Sequence, residues 1–142
     1  VFVCTYGPYC WYDGDTDSIF DRLKKLVASA GLRDRIRVNR SGCLNHCGHG
    51  GMIAVYPEGV WYAGVGPDDV DEIFEEHLCQ DRPVQRLQLR LPPGNNKQTQ
   101  DYPAAVHQMK QVEKELDERR SSARDAIRRQ VRNSTRSSSR PE

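Results

Sequence analysis

The chain has 142 residues, 37% of them hydrophobic, and a formal net charge of +1. That is enough apolar material for one modest core and too little for two. No apolar run approaches the roughly 20 residues of a membrane-spanning helix. The chain opens on Val1 and not on methionine, so a few residues are expected before its first strand, and no targeting signal is visible in what is present.

Residues 1–5 form a short apolar run and read as a first strand. Residues 16–30 then place Ile19, Phe20, Leu23, Leu26 and Val27 on one face of a helix, which Gly31 ends. A second strand is expected over 36–39; the right-handed crossover through the helix makes it parallel to the first. Residues 52–56 and 60–62 predict a hairpin, because Pro57-Glu58-Gly59 between them is turn chemistry. A last core helix starts at Pro67 and buries Val70, Ile73, Phe74 and Leu78. The order β-α-β-β-β-α predicts an α/β two-layer sandwich with a mixed sheet. On the opposite face of the last helix Asp68, Asp69, Asp71, Glu72, Glu75 and Glu76 read either as a solvated surface or as a face that steers a basic partner.

Beyond this unit the composition changes. Residues 82–91 are expected to run extended along the domain, and Pro92-Pro93-Gly94-Asn95-Asn96 opens a linker over 92–103. Residues 1–91 are thus expected to fold as a domain. Residues 104–132 predict a charged C-terminal helical extension with a thin apolar stripe of Val106, Met109, Val112, Leu116, Ala123, Ile127 and Val131. The stripe is too sparse for a second core; it reads as a homodimer or partner face, or as part of a solvated helix. Residues 1–91 hold ten Lys and Arg against thirteen Asp and Glu, whereas residues 110–142 hold ten against six. An acidic domain therefore carries a basic tail. Arg124, Arg128, Arg129, Arg132, Arg136 and Arg140 could meet phosphates, but no aromatic residues alternate with them and nucleic acid is not an expected partner. The Ser- and Arg-rich stretch 133–142 is expected to be a disordered basic tail.

Four of the five cysteines fall into two pairs, Cys4 with Cys10 and Cys43 with Cys47, each opening from an expected strand end. Soft thiolates in two loops are a metal-site layout, and a 2Fe-2S cluster takes four of them. Structural zinc favours tighter knuckles than the five-residue gap between Cys4 and Cys10. A disulfide framework suits small secreted chains, and here an odd fifth cysteine is left over. The plant-type ferredoxin run, with three cysteines in one loop, is not present. Spacing supports a cluster and leaves a structural metal open. Free thiols and a cluster both favour a reducing, cytoplasmic compartment.

The residues around the pairs are more specific. Val1-Phe2-Val3-Cys4-Thr5 leads to Cys10, Ser41-Gly42-Cys43-Leu44-Asn45-His46-Cys47 is followed by Gly50, and a Tyr56-Pro57-Glu58-Gly59-Val60-Trp61-Tyr62 hairpin comes next. From residue 1 to about 78 this closely resembles the thioredoxin-like 2Fe-2S ferredoxins. The resemblance implies a thioredoxin-like sandwich, and Cys4, Cys10, Cys43 and Cys47 as ligands of one 2Fe-2S cluster. It further implies a one-electron carrier that serves redox protein partners and is not itself an enzyme. One departure is Gly51, which stands where members of that family often have proline after glycine. A thiol-disulfide oxidoreductase on the same fold, or a binding module with a structural metal, are the alternatives; against the first, no C-x-x-C opens the first helix.

Reduction would add negative charge to an already anionic cluster, so amides are expected at the sulfurs, made accessible by Gly42, Gly48, Gly50 and Gly51, although these glycines also read simply as turn residues. His46 and His49 read as loop groups and not as ligands, since four cysteines suffice. Trp11, Tyr12, Trp61 and Tyr62 are candidates to shield the site from water, or equally residues of ordinary packing with their polar edges exposed. Cys79 reads as a thiol outside the ligand set.

Overall fold

The computed structural model describes residues 1–137, and side chains through residue 133. Four short strands, β1 (Phe2–Cys4), β2 (Asn39–Ser41), β3 (Ile53–Val55) and β4 (Val60–Tyr62), form one sheet in the order β2-β1-β3-β4. β2 lies parallel to β1, while β1 with β3 and β3 with β4 are antiparallel. The sheet is mixed, as the connectivity predicted.

Strand geometry decides what each face carries, because successive side chains point to opposite sides. The register sets Val3 beside Ile53 and Ile53 beside Tyr62. With Val55 these pack under α2 (Thr16–Ser29), whose Ile19, Phe20, Leu23 and Val27 complete the main core with Val70, Ile73 and Phe74. Ile19 and Leu23 are fully buried, each worth about 1.5–3 kcal/mol relative to exposure. The alternate positions Cys4, Met52, Trp61 and Ala63 form a second apolar cluster on the other face. That face carries Cys4 and Cys10.

Helix α2 starts where its cap dictates: Asp15 accepts hydrogen bonds from the Ser18 amide and hydroxyl at 3.0 and 2.6 Å. The last core helix, α3 (Asp69–Glu72), widens into a π-helical stretch, Ile73–Leu78. Residues 87–89 then run along β4, with Ala63 N donating to Leu87 O and Leu89 N to Trp61 O at 2.9 and 2.8 Å, so the outer edge of β4 is covered.

Three features differ from expectation. The second strand pairs at Asn39–Ser41 and not at 36–39. Leu32 carbonyl holds the amides of Arg35 and Ile36 in a turn, so the chain reaches β1 only where Asn39 N meets Val1 O. Ile36 and Val38 instead pack against the core from outside the ladder. An additional helix, α1 (Pro8–Asp13), lies between the first cysteines. Finally, the C-terminal helix α4 (Ala104–Ser137) continues beyond residue 132, so residues 133–137 are helical, and the remainder of the expected disordered tail lies outside the described residues. The first turns of α4 rest on α1, with Val106 buried; Met109, Val112, Leu116, Ile127 and Val131 stay exposed. Among the described residues no helix is long and apolar enough to cross a membrane.

Candidate metal centre

Cys4 ends β1, Cys10 sits in the middle of α1, and Cys43 and Cys47 lie in the loop that follows β2. Helix α1 exists because Gly7, at φ +88°, turns the chain and Pro8 opens the first turn. That turn swings Cys10 back over Cys4, and the two sulfurs stand 3.1 Å apart, unbonded and buried. Cys47 is buried and Cys43 exposed.

The four thiols share one electrostatic site. The hydrogen bond from Cys10 lowers Cys4 to about 7 against the opposing effect of burial, and the Leu44 amide and the Lys110 charge lower it further. Cys10 is driven strongly upward, first by that same hydrogen bond, then by burial, and then by the charges of Cys4, Cys47 and Cys43. Burial, followed by the charge of Cys43 and its hydrogen bond, pushes Cys47 up to about 11, and Lys97 opposes this. One proton leaves the Cys4–Cys10 pair readily and the next is held. A soft cation that replaces both protons removes the conflict, which is the chemistry of a thiolate metal site.

An amide does point at sulfur, but the donor is Asn45 N, 3.3 Å from Cys43 Sγ. Gly48, Gly50 and Gly51 serve close packing instead, while Gly42 has open space around it. A Cβ on Gly51 would lie 2.4 Å from Val65 O, and one on Gly50 would lie 2.8 Å from Gly64 Cα. Both clamp the cysteine loop against the segment after β4, where Gly64 N donates to His49 O and Val65 N to Gly51 O.

Residues 92–103, read from the sequence as a linker, lie across this loop. Gln98 N donates to Cys47 O at 2.9 Å, and the His49 ring is held 2.6 Å from Asn96 O. Asp13 Oδ2 accepts from Gly48 N at 3.2 Å and from the Tyr102 hydroxyl. The Tyr102 ring stacks on Tyr9 with centroids 4.7 Å apart, and the Tyr9 hydroxyl reaches His107 Nδ1 at 2.8 Å. This strap ties α1, the cysteine loop and α4 together. Composition hid it: Pro, Gly and Asn mark turns whether or not those turns are docked.

Of the four aromatic residues expected to shield the cysteines, Trp61 does so, with Leu44, Met52, Ala63 and Leu89. Tyr62 points to the opposite face by strand alternation and belongs to the main core, while Trp11 and Tyr12 are 50% and 58% exposed. Met52 and Leu89 escaped the sequence reading, although the same alternation places Met52 beside Cys4. His46 packs edge-on against Trp61, 5.3 Å between centroids. Cys79 is exposed and lines a cavity with Val1, Phe2 and Tyr56, at the end of β1 away from Cys4.

The acidic face of the last core helix is largely neutralised from within. Arg86 binds Asp69 and Glu72, Arg22 binds Asp71, and Arg82 binds Glu76 at 2.8 Å. Among the described residues Asp68 and Glu75 form no ion pair.

No family model matches the chain. Individual proteins do. A 2Fe-2S ferredoxin of Clostridium pasteurianum is 36% identical over 96 residues, covering 63% of this chain and 93% of that protein. A 2Fe-2S ferredoxin of Aquifex aeolicus is 49% identical over 103 residues, covering 66% of this chain and 93% of the relative. The crystal structure of the wild-type thioredoxin-like 2Fe-2S ferredoxin of Aquifex aeolicus superposes with a TM-score of 0.59 at 35% identity, over 63% of this chain and 94% of that one.

Proposed function

The chain belongs to the thioredoxin-like 2Fe-2S ferredoxins, and on that premise we propose that Cys4, Cys10, Cys43 and Cys47 together hold its cluster. With its relatives it is a one-electron carrier, not an enzyme, that uses a 2Fe-2S cluster and exchanges electrons with redox partners. The observation that supports the ligand set is the pair of buried, unbonded Cys4 and Cys10 sulfurs 3.1 Å apart, with the charges of Cys47 and Cys43 near enough to push Cys10 upward. Two buried thiols on one face of the sheet and two more in the loop after β2 suit a cluster that takes two thiolates on each iron.

When bound, the cluster supplies a single-electron couple whose negative charge grows on reduction. The chain's own groups answer that charge. Asn45 aims its amide at Cys43 Sγ, the Leu44 backbone and Lys110 lower Cys4, and Lys97 acts on Cys47. Met52, Leu44, Trp61 and Leu89 keep water from the buried side, while the exposed Cys43 side leaves a short path for an electron to a docked partner.

Residues 1–91 are the cluster domain in this reading, because they contain all four cysteines and the whole main core. Residues 92–103 are its strap, and α4 presents an apolar stripe for a partner or a second copy. Five unbonded thiols fit a reducing cytoplasm.

Each of Cys4→Ala, Cys10→Ala, Cys43→Ala and Cys47→Ala should lose the cluster or leave it labile, while Cys79→Ala keeps equimolar iron and acid-labile sulfide. Full occupancy in Cys43→Ala, or cluster loss in Cys79→Ala, would overturn the assignment.

A further inference from the structure

At the opposite end of β1 from Cys4, a cavity of about 770 Å³ is lined by Glu58 from the β3–β4 turn and by His77, Cys79 and Asp81 from the end of the last core helix. One donor atom from each of Glu58, His77 and Asp81 lies within 4.8 Å of the other two. His77 is only 3% exposed, yet its Nε2 has no hydrogen-bond partner. Its other nitrogen, Nδ1, is held by the Tyr62 hydroxyl at 2.7 Å, and that hydroxyl also accepts from Val84 N at 3.1 Å.

A buried imidazole nitrogen without a partner costs free energy on the order of 1–3 kcal/mol, and native structures rarely leave one. Here the ring that carries the unsatisfied atom is grouped with two carboxylates. Neither Glu58 nor Asp81 forms a salt bridge among the described residues, although Arg35 and Arg37 line the same cavity. When Nδ1 carries the ring proton, Nε2 presents a bare lone pair, which repels nearby anionic oxygens unless a cation lies between them. A divalent cation placed among the three satisfies all of them at once.

We propose that Glu58, His77 and Asp81 form a second metal site, for a divalent transition ion such as zinc, separate from the four-cysteine centre. One imidazole nitrogen and two carboxylate oxygens are ligands zinc accepts, with the remaining position left to water. Tyr62 supplies the outer partner. With the ion on Nε2 the ring carries its proton on Nδ1, and the Tyr62 oxygen accepts it, fixing the ring as outer hydrogen bonds do at other histidine sites. The site joins the β3–β4 turn to the end of the last helix, 19 residues apart from Glu58 to His77. Metal binding therefore stabilises the native fold by mass action.

The test uses tag-free, cluster-loaded protein, so that the four cysteines are already occupied. Calorimetric titration with zinc chloride, with the visible cluster spectrum recorded in parallel, should show one saturable site and an unchanged spectrum. His77→Gln and Glu58→Gln should each weaken binding by at least about tenfold, since even the loss of an outer partner costs that much. Glu58 is exposed, so its variant keeps the test valid if His77→Gln fails to fold. The proposal is overturned by no saturable uptake in the unaltered protein, by uptake that bleaches the cluster, or by uptake that survives both variants and disappears in Cys79→Ser.

Discussion

Gly48→Ala tests whether the strap over residues 92–103 secures the cysteine loop. Gly48 has φ +93°, a conformation that costs an alanine roughly 1–2 kcal/mol. An added Cβ would stand 2.1 Å from Gln98 O and 2.7 Å from Gln98 C, both backbone atoms that cannot rotate away. The strap must lift, and the hydrogen bond from Gln98 N to Cys47 O goes with it, a further loss of about 0.5–1.5 kcal/mol. The backbone strain falls on residue 48 wherever the strap lies, so the part specific to the strap is about 0.5–1.5 kcal/mol, a shift of roughly two- to tenfold in its closed population. Gly59→Ala is the control: φ is +70°, so the backbone strain is similar, but nothing lies within 4 Å of the added carbon. Two measurements read the outcome, proteolytic cleavage within residues 92–103 and the anaerobic rate at which a chelator bleaches the cluster. Both should rise in Gly48→Ala relative to Gly59→Ala. Equal rates in the two variants would show that the strap contributes nothing to the loop.

Truncation after Leu91 should preserve the visible spectrum and reversible one-electron reduction while speeding cluster loss to a chelator; a truncated chain that cannot be reconstituted anaerobically would make the strap part of the folding unit. Neutralising Asp68 and Glu75 together should slow association with a basic redox partner at low salt more than neutralising Asp69, Glu72 and Glu76, whose charges arginines already answer; stopped-flow rates across a salt series that rank the two the other way would refute the steering role. The Asp15 carboxyl is held below its ordinary range by hydrogen bonds from the Ser18 hydroxyl and amide. Its folded pKa is depressed, so its contribution is complete above about pH 3.9, the unfolded value, and is lost as pH falls through the folded one. Acid unfolding of Asp15→Asn should accordingly show a shallower pH slope in that window, and an identical slope would remove the cap from the account.

The pattern of residue types was enough for the element order, the mixed sheet and the cysteine pairs, because each rests on local rules. Helical spacing of Ile19, Leu23 and Val27, turn chemistry at Pro57-Glu58-Gly59, and thiols at strand ends need no distant partner to be recognised. Six residues are too few for a period to emerge, so α1 was not legible, and with it the swing that sets Cys10 on Cys4. The aromatic shield was half legible: Trp61 and Tyr62 look alike in the sequence, and only the register of β4 against β3 sends one to the cysteines and the other to His77. Most of the charge on the acidic helix face is answered by Arg22, Arg82 and Arg86, residues whose pairing no local pattern announces. The same holds for the strap and for the Glu58–His77–Asp81 cluster. Their parts are ordinary polar and turn residues with no local signature, and they acquire a role only when chain segments far apart in sequence are packed within hydrogen-bond or ligand distance by a core that other residues build.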